Sequence, residues 1–229
     1  MAYNIMSDRR IHKAVRRADL DALRRELAKG VSPNASGRFE YKPLHCLCCG
    51  GDNAEATDDC VHMLLEAGAD VNALNMYQRP PLHLAAECSR ANVAAALLKA
   101  GADVNRGDAF NLTPLHWACA RPCPGLALLF IRHGAAVNAQ DYTGRTPLDY
   151  AIRNSRGRRL VPILLRAGAA LPAHTNDAYL QKVIAAGGFG RYERNHLSAL
   201  AATFAPKFDQ LPKELVRLVV EYAFHVGDY

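Results

Sequence analysis

Two short sequence words recur along the chain at one shared period, and this repetition constrains the fold more than any single residue does. The first word reads PLHC at residues 43–46, PLHL at 81–84, PLHW at 114–117 and PLDY at 147–150, with a remnant, IHKA, at 11–14. Its third residues are spaced by 33, 38, 33 and 33 positions. The second word, GADVN at residues 68–72 and 101–105, keeps step with the first. A period of 33 predicts a stacked solenoid, because one repeat of that size cannot bury its own apolar face.

The composition is that of a folded chain with a core. Half of the 229 residues are apolar and 22% are charged, which argues against general disorder. No apolar run approaches the ~20 residues that span a bilayer, and the first residues lack the apolar stretch of a signal peptide. Seven cysteines, an odd number, fit a reducing compartment better than a disulfide framework. We therefore expect a cytoplasmic or nuclear protein without a membrane partner.

The net charge of +6 is concentrated in the first and fifth repeats. Such clusters are compatible with a nucleic-acid or acidic partner. They are also expected of terminal solenoid repeats, whose outer faces must stay polar. Asp8, Asp19, Asp21 and Glu26 dilute the first cluster, which favours the second interpretation. We expect no nucleic acid partner.

The residues between Asn105 and Gly134 predict the structure of one unit. A polar, glycine-containing segment comes first and suits a turn. Thr113 and Pro114 then mark a helix start, as a hydroxyl N-cap followed by a proline at the first helical position. Residues 121–125 break this helix, an apolar stripe follows in a second helix, and Gly134 ends it.

This unit resembles an ankyrin repeat, whose TPLH opening stands intact at residues 113–116 and nearly intact, as TPLD, at 146–149. The resemblance covers residues 8–172 and implies an all-α solenoid of five helix-turn-helix repeats joined by hairpin-like loops. The repeats are residues 8–40, 41–78, 79–111, 112–144 and 145–172. Lys42 and Pro80 stand where the family has threonine, so the second and third repeats lack that hydroxyl cap.

The second repeat is five residues longer than the others. Its excess lies between the two helices, within residues 49–58. This stretch is polar and glycine-containing, so we expect a surface loop there.

The resemblance also implies where a partner binds, because the family uses its hairpin tips and the adjoining ends of the first helices as a concave recognition surface. By register the tips are residues 36–41, 74–79, 107–112 and 140–145. They are rich in aromatic residues, methionine and arginine, the types enriched at interface hot spots. The predicted partner-binding residues are Arg38, Phe39, Tyr41, Met76, Tyr77, Arg79, Phe110, Leu112, Tyr142 and Arg145 on the tips, with Arg121 and Arg153 at the helix ends. Packing against a neighbouring repeat is the alternative for these rings, and for Trp117 both interpretations stay open.

The sequence carries little that points to chemistry. His45, His83 and His116 recur once per repeat, which indicates an architectural role and not a catalytic cluster. The cysteines at 46, 48, 49 and 60, with His62, lack the doubled pairs of a zinc site, and Cys48 and Cys119 fall in a small buried slot. Cys49 and Cys88 are the more exposed redox candidates. The run at 187–190 is not a nucleotide-binding loop, so we expect a non-enzymatic protein without cofactor or metal.

The period ends after Pro172, and residues 173–229 predict a small helical C-terminal unit. Helices are expected over 176–186 and 191–204, with a last one from Leu211. One interpretation is a cap on the terminal repeat. The other is a docking module, because the segment from Leu197 to Leu218 resembles a degenerate SOCS box, although Ala201 replaces the family's cysteine. That resemblance implies binding to elongin and cullin components through Leu197, Leu211, Pro212 and Leu215.

Two functional hypotheses follow. The first is a monomeric adaptor that binds a protein of unknown identity in the concave groove. The second is a substrate-recognition subunit of a cullin-type ubiquitin ligase, in which the repeats select the target and the C-terminal unit recruits the ligase. Only the second requires the four docking residues to present an exposed apolar face.

Overall fold

The computed structural model describes residues 10–49, 54–172 and 175–204. Within these ranges the regular secondary structure is helical and contains no strand, which confirms the all-α prediction. The helices are α1 (residues 10–16), α2 (Leu20–Ala28), α3 (Pro43–Cys48), α4 (Ala54–Glu66), α5 (Pro81–Glu87), α6 (Ala91–Lys99), α7 (Pro114–Ala120), α8 (Pro124–Arg132), α9 (Pro147–Arg153), α10 (Val161–Arg166), α11 (Ala178–Ala185) and α12 (Phe189–Phe204). None of the helices in the described ranges is long and apolar enough to cross a membrane.

The chain divides into two compact units, with the boundary between Val161 and Pro162. In the first unit the opening helices of successive repeats pack in series, α3 on α5, α5 on α7 and α7 on α9. The closing helices form a second series, α2 on α4, α4 on α6 and α6 on α8. This two-layered stack is the predicted solenoid. The domain limits at 8–172 and 173–229 stay a prediction.

One apolar residue of each repeat lies at the centre of the core of the first unit. It directly precedes the third residue of the first sequence word, which is the motif histidine in four repeats and Asp149 in the fifth. These residues are Ile11, Leu44, Leu82, Leu115 and Leu148, each 2% exposed or less. Burying a side chain of this size contributes about 1.5–3 kcal/mol. The repeated leucine is therefore a packing residue.

The motif histidine joins each repeat to the next one. The Nε2 atom lies at hydrogen-bond distance from the backbone carbonyl of the residue just before the next repeat's helix cap. The four bonds are His12 to Tyr41 (2.8 Å), His45 to Arg79 (2.9 Å), His83 to Leu112 (2.8 Å) and His116 to Arg145 (3.1 Å). In His45 and His116, Nδ1 accepts from the backbone N–H three residues earlier, at 3.0 Å in both. Because carbonyls only accept and amides only donate, these two rings are neutral with the proton on Nε2.

Two repeats depart from this arrangement. Pro80 has no N–H to donate, so Nδ1 of His83 is buried without a hydrogen-bond partner. In the fifth repeat Asp149 replaces the histidine and accepts the backbone N–H of Thr146 at 2.8 Å and its hydroxyl at 2.9 Å. An ionised carboxylate has no proton to donate, so Asp149 caps its own helix and cannot make the forward bond.

The loops between repeats are held by hydrogen bonds of their own. Asn75, Asp108 and Asp141 each accept the backbone N–H groups two and four residues later, at 2.8 to 3.1 Å. The residue before the end of each loop is left-handed, with φ between 57° and 78°, at Glu40, Gln78, Asn111 and Gly144. Only the last of these is a glycine. The loops are therefore defined structures and not loose connections.

The extra residues of the second repeat are only partly a loop, so the surface-loop prediction is wrong for their second half. Helix α4 begins at Ala54 and has 13 residues, against nine in α6 and in α8. Ala54, Glu55 and Ala56 are strong helix formers, and they extend the helix by about one turn. Residues 50–53 lie outside the described residues.

The break predicted at residues 121–125 is shorter than expected. Pro124 occupies the first turn of α8, where its missing N–H costs nothing. The predicted end of this helix is confirmed, since Gly134 follows the C-cap His133 with a φ of 83°. Glycine suits that left-handed position because it has no Cβ.

In the fifth repeat a 3₁₀ turn, Ser155–Leu160, stands between α9 and α10. The side chain of Asn154 caps it by accepting the N–H of Arg156 at 3.0 Å. Gly157 packs so closely on α9 that a Cβ there would lie 2.3 Å from the carbonyl oxygen of Ala151. Only glycine fits that contact without displacement.

The second unit contains two of the predicted helices. Helix α11 starts after Asp177, whose carboxylate accepts the N–H groups of Tyr179 and Leu180 at 3.0 and 3.1 Å. Helix α12 (Phe189–Phe204) starts two residues before the predicted start and continues to the last described residue. Arg166 pairs with Glu193 of α12. The helix predicted from Leu211 lies outside the described residues.

We predict that Gly157→Ala destabilises the protein by about 1–3 kcal/mol, because the new Cβ collides with a backbone atom that cannot turn away. Gly125→Ala is the matched control, since a Cβ at this position in α8 meets nothing within 4 Å. That variant should be neutral or gain about 0.5–1 kcal/mol. Urea unfolding of both variants measures the difference, and equal stabilities would contradict the close contact.

We also predict that acid weakens the fold between pH 6.5 and about pH 4. Burial lowers the pKa of His45 and of His83 from 6.5 to about 4, and it lowers the pKa of His116 as well. The unfolded chain therefore binds these protons at a higher pH than the folded chain does. The free energy of unfolding has its maximum contribution from these histidines above pH 6.5. It falls as the pH drops from 6.5 to about 4, by up to ~1.4 kcal/mol per pH unit for each histidine.

Urea unfolding at several pH values within the window measures this slope. The variant His45→Gln keeps an N–H donor for the carbonyl of Arg79 but cannot titrate, so its slope should be shallower than that of the wild type. A wild-type stability that stays level from pH 6.5 to pH 4 would contradict the neutral inter-repeat histidines.

Candidate functional site

The four hairpin tips form one continuous edge of the first unit. A backbone bond closes each loop, from residue 37, 75, 108 or 141 to the carbonyl four residues later, at 2.8 to 3.2 Å. One further backbone bond joins each tip to the next, from Met76 to Phe39 (3.1 Å), Ala109 to Tyr77 (3.3 Å) and Tyr142 to Phe110 (3.1 Å). The side chains on this edge are thus held in a fixed order.

Large apolar side chains are exposed mainly along this edge. Within the described residues, five of the seven exposed large hydrophobic side chains lie on the tips. They are Phe39 (45%), Met76 (51%), Tyr77 (44%), Phe110 (51%) and Tyr142 (74%). We call these five residues the hairpin face. All five were among the residues predicted to bind a partner.

The rings of the hairpin face pair across neighbouring repeats. The ring centroids of Phe39 and Tyr77 lie 6.4 Å apart, and those of Phe110 and Tyr142 lie 5.7 Å apart. The guanidinium of Arg38 sits 4.7 Å from the Phe39 ring centroid. Aromatic pairs at these distances attract each other. The paired rings therefore stabilise each other's positions while each side chain stays partly exposed to solvent.

Arg79 is occupied within the chain. Its Nε donates to Asp108 at 3.1 Å, and Nη1 lies 3.3 Å from Glu87. The Asp108 side chain is fully buried, and the Arg79 side chain is 19% exposed. The guanidinium also lies 4.5 Å from the Trp117 ring centroid. Arg79 therefore joins the third repeat to the fourth, and Trp117 packs against it between repeats.

The other predicted residues differ in exposure. Arg121 and Arg153, at the C-terminal ends of α7 and α9, are exposed, and so is Arg145. Tyr41 and Leu112 are half-buried, and their carbonyls accept the histidine bonds. Burial raises the pKa of Tyr41, and the neighbouring Cys49 and Glu87 raise it further.

A groove of about 520 Å³ lies beside the first tip and was missed by sequence reasoning. Its lining residues are His12, Lys13, Arg16, Gly37, Arg38, Phe39, Tyr41 and Cys46. Cations and aromatic rings dominate this lining, and among the described residues no carboxylate contributes to it. Lys13 and Arg16 belong to the basic cluster of the first repeat, which the sequence predicts to form a polar outer face. Its place beside Arg38 follows from the bond of His12 to Tyr41, which sets α1 against the first hairpin.

The cysteines fall into buried and exposed groups. Cys48 and Cys119 are fully buried, which confirms the small buried slot, and Cys60 is fully buried as well. The Cys48 thiol donates to the carbonyl of Pro81 at 3.1 Å. Cys49 and Cys88 are exposed. Within the described residues, no group of three or more His, Cys, Asp and Glu side chains is arranged to hold a metal ion.

The exposed residues Cys49 of the second repeat and Cys88 of the third bring their thiols into contact, with 3.4 Å between the two Sγ atoms. Each residue is the C-cap of an opening helix, α3 for Cys49 and α5 for Cys88. Burial of the sulfur, contact with Cys88 and the charge of Glu87 together raise the pKa of Cys49 to about 12. Sequence reasoning identified both residues but not their contact.

One of the four predicted docking residues lies in the described part of the chain. Leu197 is half-buried on α12 of the second unit. Leu211, Pro212 and Leu215 lie outside the described residues.

Comparison with known proteins identifies the repeats. A family model described as "Ankyrin repeats (3 copies)" matches residues 11–108, and one described as "Ankyrin repeats (many copies)" matches residues 97–151. Together they span more than half of the 229 residues. No curated protein matches the chain. Ankyrin repeats form protein–protein interaction domains, and this chain, with its stacked helix pairs and its two repeated sequence words, belongs to the ankyrin repeat family.

Proposed function

We propose that this protein is a non-catalytic adaptor that binds a partner protein along the hairpin face and the adjoining ends of the opening helices. The observation that carries this proposal is the exposure of five large apolar side chains on one continuous edge. Exposed apolar side chains gathered on one surface mark interaction sites in soluble proteins. We expect the adaptor to act as a monomer in the cytoplasm or nucleus.

The rigidity of the tips supports binding. Each tip is fixed by its own loop hydrogen bonds, by the bond to the next tip and by the histidine of the preceding repeat. Ordering a mobile loop on binding costs free energy. The tips are already ordered in the free protein, so binding does not incur that cost. Phe39 also holds a left-handed φ of 58° while 45% exposed. A strained, exposed aromatic residue favours a functional role over packing.

The charges beside the hairpin face indicate what kind of partner fits. Arg38, Arg121, Arg145 and Arg153 are exposed, as is Glu40 on the first tip, whereas the carboxylates of Asp108 and Asp141 are buried. Cations also line the groove beside the first tip. The matching partner segment carries apolar groups for the rings and carboxylates for the arginines. Its association should be faster at low ionic strength, since exposed charges act mainly through steering.

The second candidate is the substrate-recognition subunit of a cullin-type ubiquitin ligase. Its support is the resemblance of the C-terminal segment to a SOCS box, together with the 16-residue helix α12 that carries Leu197. In this function the repeats bind the target as in the adaptor, and the C-terminal residues bind elongin and a cullin. The two functions therefore share the hairpin face and differ only in the second unit.

We predict that Phe110→Ala combined with Tyr142→Ala weakens partner binding about tenfold or more, because paired exposed rings are typical hot spots. Proteins captured from a lysate of the source cell by the wild-type chain are identified by mass spectrometry. The affinity of the strongest specific partner is then measured with both chains.

Leu128→Ala is the matched control. Leu128 is 40% exposed on α8, away from the tips, so its removal should leave the affinity unchanged. A partner bound equally by the double variant and the wild type would overturn the hairpin face as the binding surface. A loss with Leu128→Ala alone would place the surface elsewhere on the repeats.

The ligase function predicts that the full-length chain co-purifies with elongin and a cullin, and that Leu211→Ala combined with Leu215→Ala abolishes this association. The partner bound by the repeats should be retained by the same variant. Immunoblotting of the purified complexes measures both. A wild-type chain that brings down neither elongin nor cullin contradicts the ligase function and leaves the adaptor function untouched.

A further inference from the structure

We infer that Cys49 and Cys88 form an oxidation site, at which a peroxide joins the second repeat to the third by a disulfide. The two Sγ atoms are already 3.4 Å apart. Disulfide bonding brings two sulfur atoms to about 2.05 Å. The inference is independent of the adaptor function, although the pair lies beside Tyr41, one of the predicted partner-binding residues.

Access to oxidant separates this pair from the other cysteines. Of the seven cysteines, Cys49 and Cys88 are the exposed ones. Cys48, Cys60 and Cys119 are fully buried between packed helices, and Cys46 and Cys123 are partly buried. Oxidation of protein thiols follows thiolate character and exposure, and it gives a disulfide where a second thiol lies within reach. Cys49 and Cys88 combine exposure with a second thiol within reach.

The positions of the two residues allow the sulfurs to approach. Both are C-caps, so each follows the last residue of a short helix and lies outside its hydrogen-bonded interior. The helices themselves, α3 and α5, pack directly on each other. Closing the remaining gap of about 1.4 Å requires adjustment of two exposed helix ends.

The reaction balances with hydrogen peroxide as the oxidant. One sulfur attacks peroxide, the O–O bond breaks, one oxygen leaves as water, and the other stays on sulfur as a sulfenic acid. The second sulfur attacks that sulfenic sulfur, the S–S bond forms, the S–O bond breaks, and a second water leaves. The two thiol protons end in the two waters, and the two electrons lost by the sulfurs reduce the peroxide. The balance is the same whichever sulfur reacts first.

The environment of Cys49 determines when the site reacts. Its raised pKa keeps Cys49 as a thiol at neutral pH, and the thiolate is the reactive form. Cys49 therefore reacts with peroxide slowly at neutral pH and faster as the pH rises. A thiol reductant restores the two thiols, since thiol–disulfide exchange opens an exposed bond.

The test is mild peroxide treatment of the folded full-length chain at slightly alkaline pH, followed by alkylation of the remaining thiols, protease digestion and mass spectrometry without reductant. We expect a peptide pair linked through Cys49 and Cys88 to be the main product, and the number of free thiols to fall by two. Dithiothreitol should reverse both changes. The thermal midpoint of the oxidised chain should rise by several degrees, because the new bond closes a long loop.

Three variants make the test specific. Cys49→Ser and Cys88→Ser should each abolish the linked pair, whereas Cys46→Ser should keep it, since Cys46 lies in the same segment but faces elsewhere. The proposal is overturned if wild-type Cys49 and Cys88 are oxidised singly to sulfinic or sulfonic acids. It is equally overturned if Cys49 links to Cys46, or if the link joins two chains and disappears on dilution.

Discussion

The hydrogen bond from a motif histidine to the next hairpin sets the register of the first unit. The accepting carbonyl belongs to the residue just before the next helix cap, so one bond fixes both the hairpin and the start of the following helix. The imidazole rings of His45, His83 and His116 are buried, and an unpaired polar group there costs about 1–3 kcal/mol. A slip of the stack by one residue would break every such bond at once. The register is therefore held cooperatively, and the neutral ring makes it sensitive to acid.

The histidines bind backbone carbonyls of the hairpins, so these bonds place no requirement on the side chains of the tips. Each loop is closed by its own backbone bond and, in three loops, by Asn75, Asp108 or Asp141. None of these bonds involves the side chains that project outward. Rings such as Phe110 and Tyr142 are thus exposed on a support whose hydrogen bonds do not depend on their side chains.

Much of this arrangement follows from the sequence, because the period assigns each residue to a register position. The buried leucines and the exposed tip aromatics could be predicted from register and residue type alone. Even the unpartnered Nδ1 of His83 is visible in the sequence, since Pro80 stands where a donor N–H is needed. The helical half of the insertion was missed because its polar and glycine residues resemble a loop, although Ala54, Glu55 and Ala56 favour a helix.

Contacts between repeats were harder to predict, for a geometrical reason. Residues 33 positions apart occupy the same place in successive repeats. Side chains, however, contact residues that occupy a different place in the next repeat. The histidine of one repeat meets the carbonyl 29 or 34 residues later, and Cys49 meets Cys88 at an offset of 39. Arg79 at the end of one hairpin meets Asp108 at the start of the next hairpin, at an offset of 29. The longer offsets contain the five extra residues of the second repeat. An offset of 29 thus joins a motif histidine to the end of the next hairpin, and it joins the end of one hairpin to the start of the next in the case of Arg79. Oppositely charged pairs sought at that offset would have identified the contact of Arg79 with Asp108.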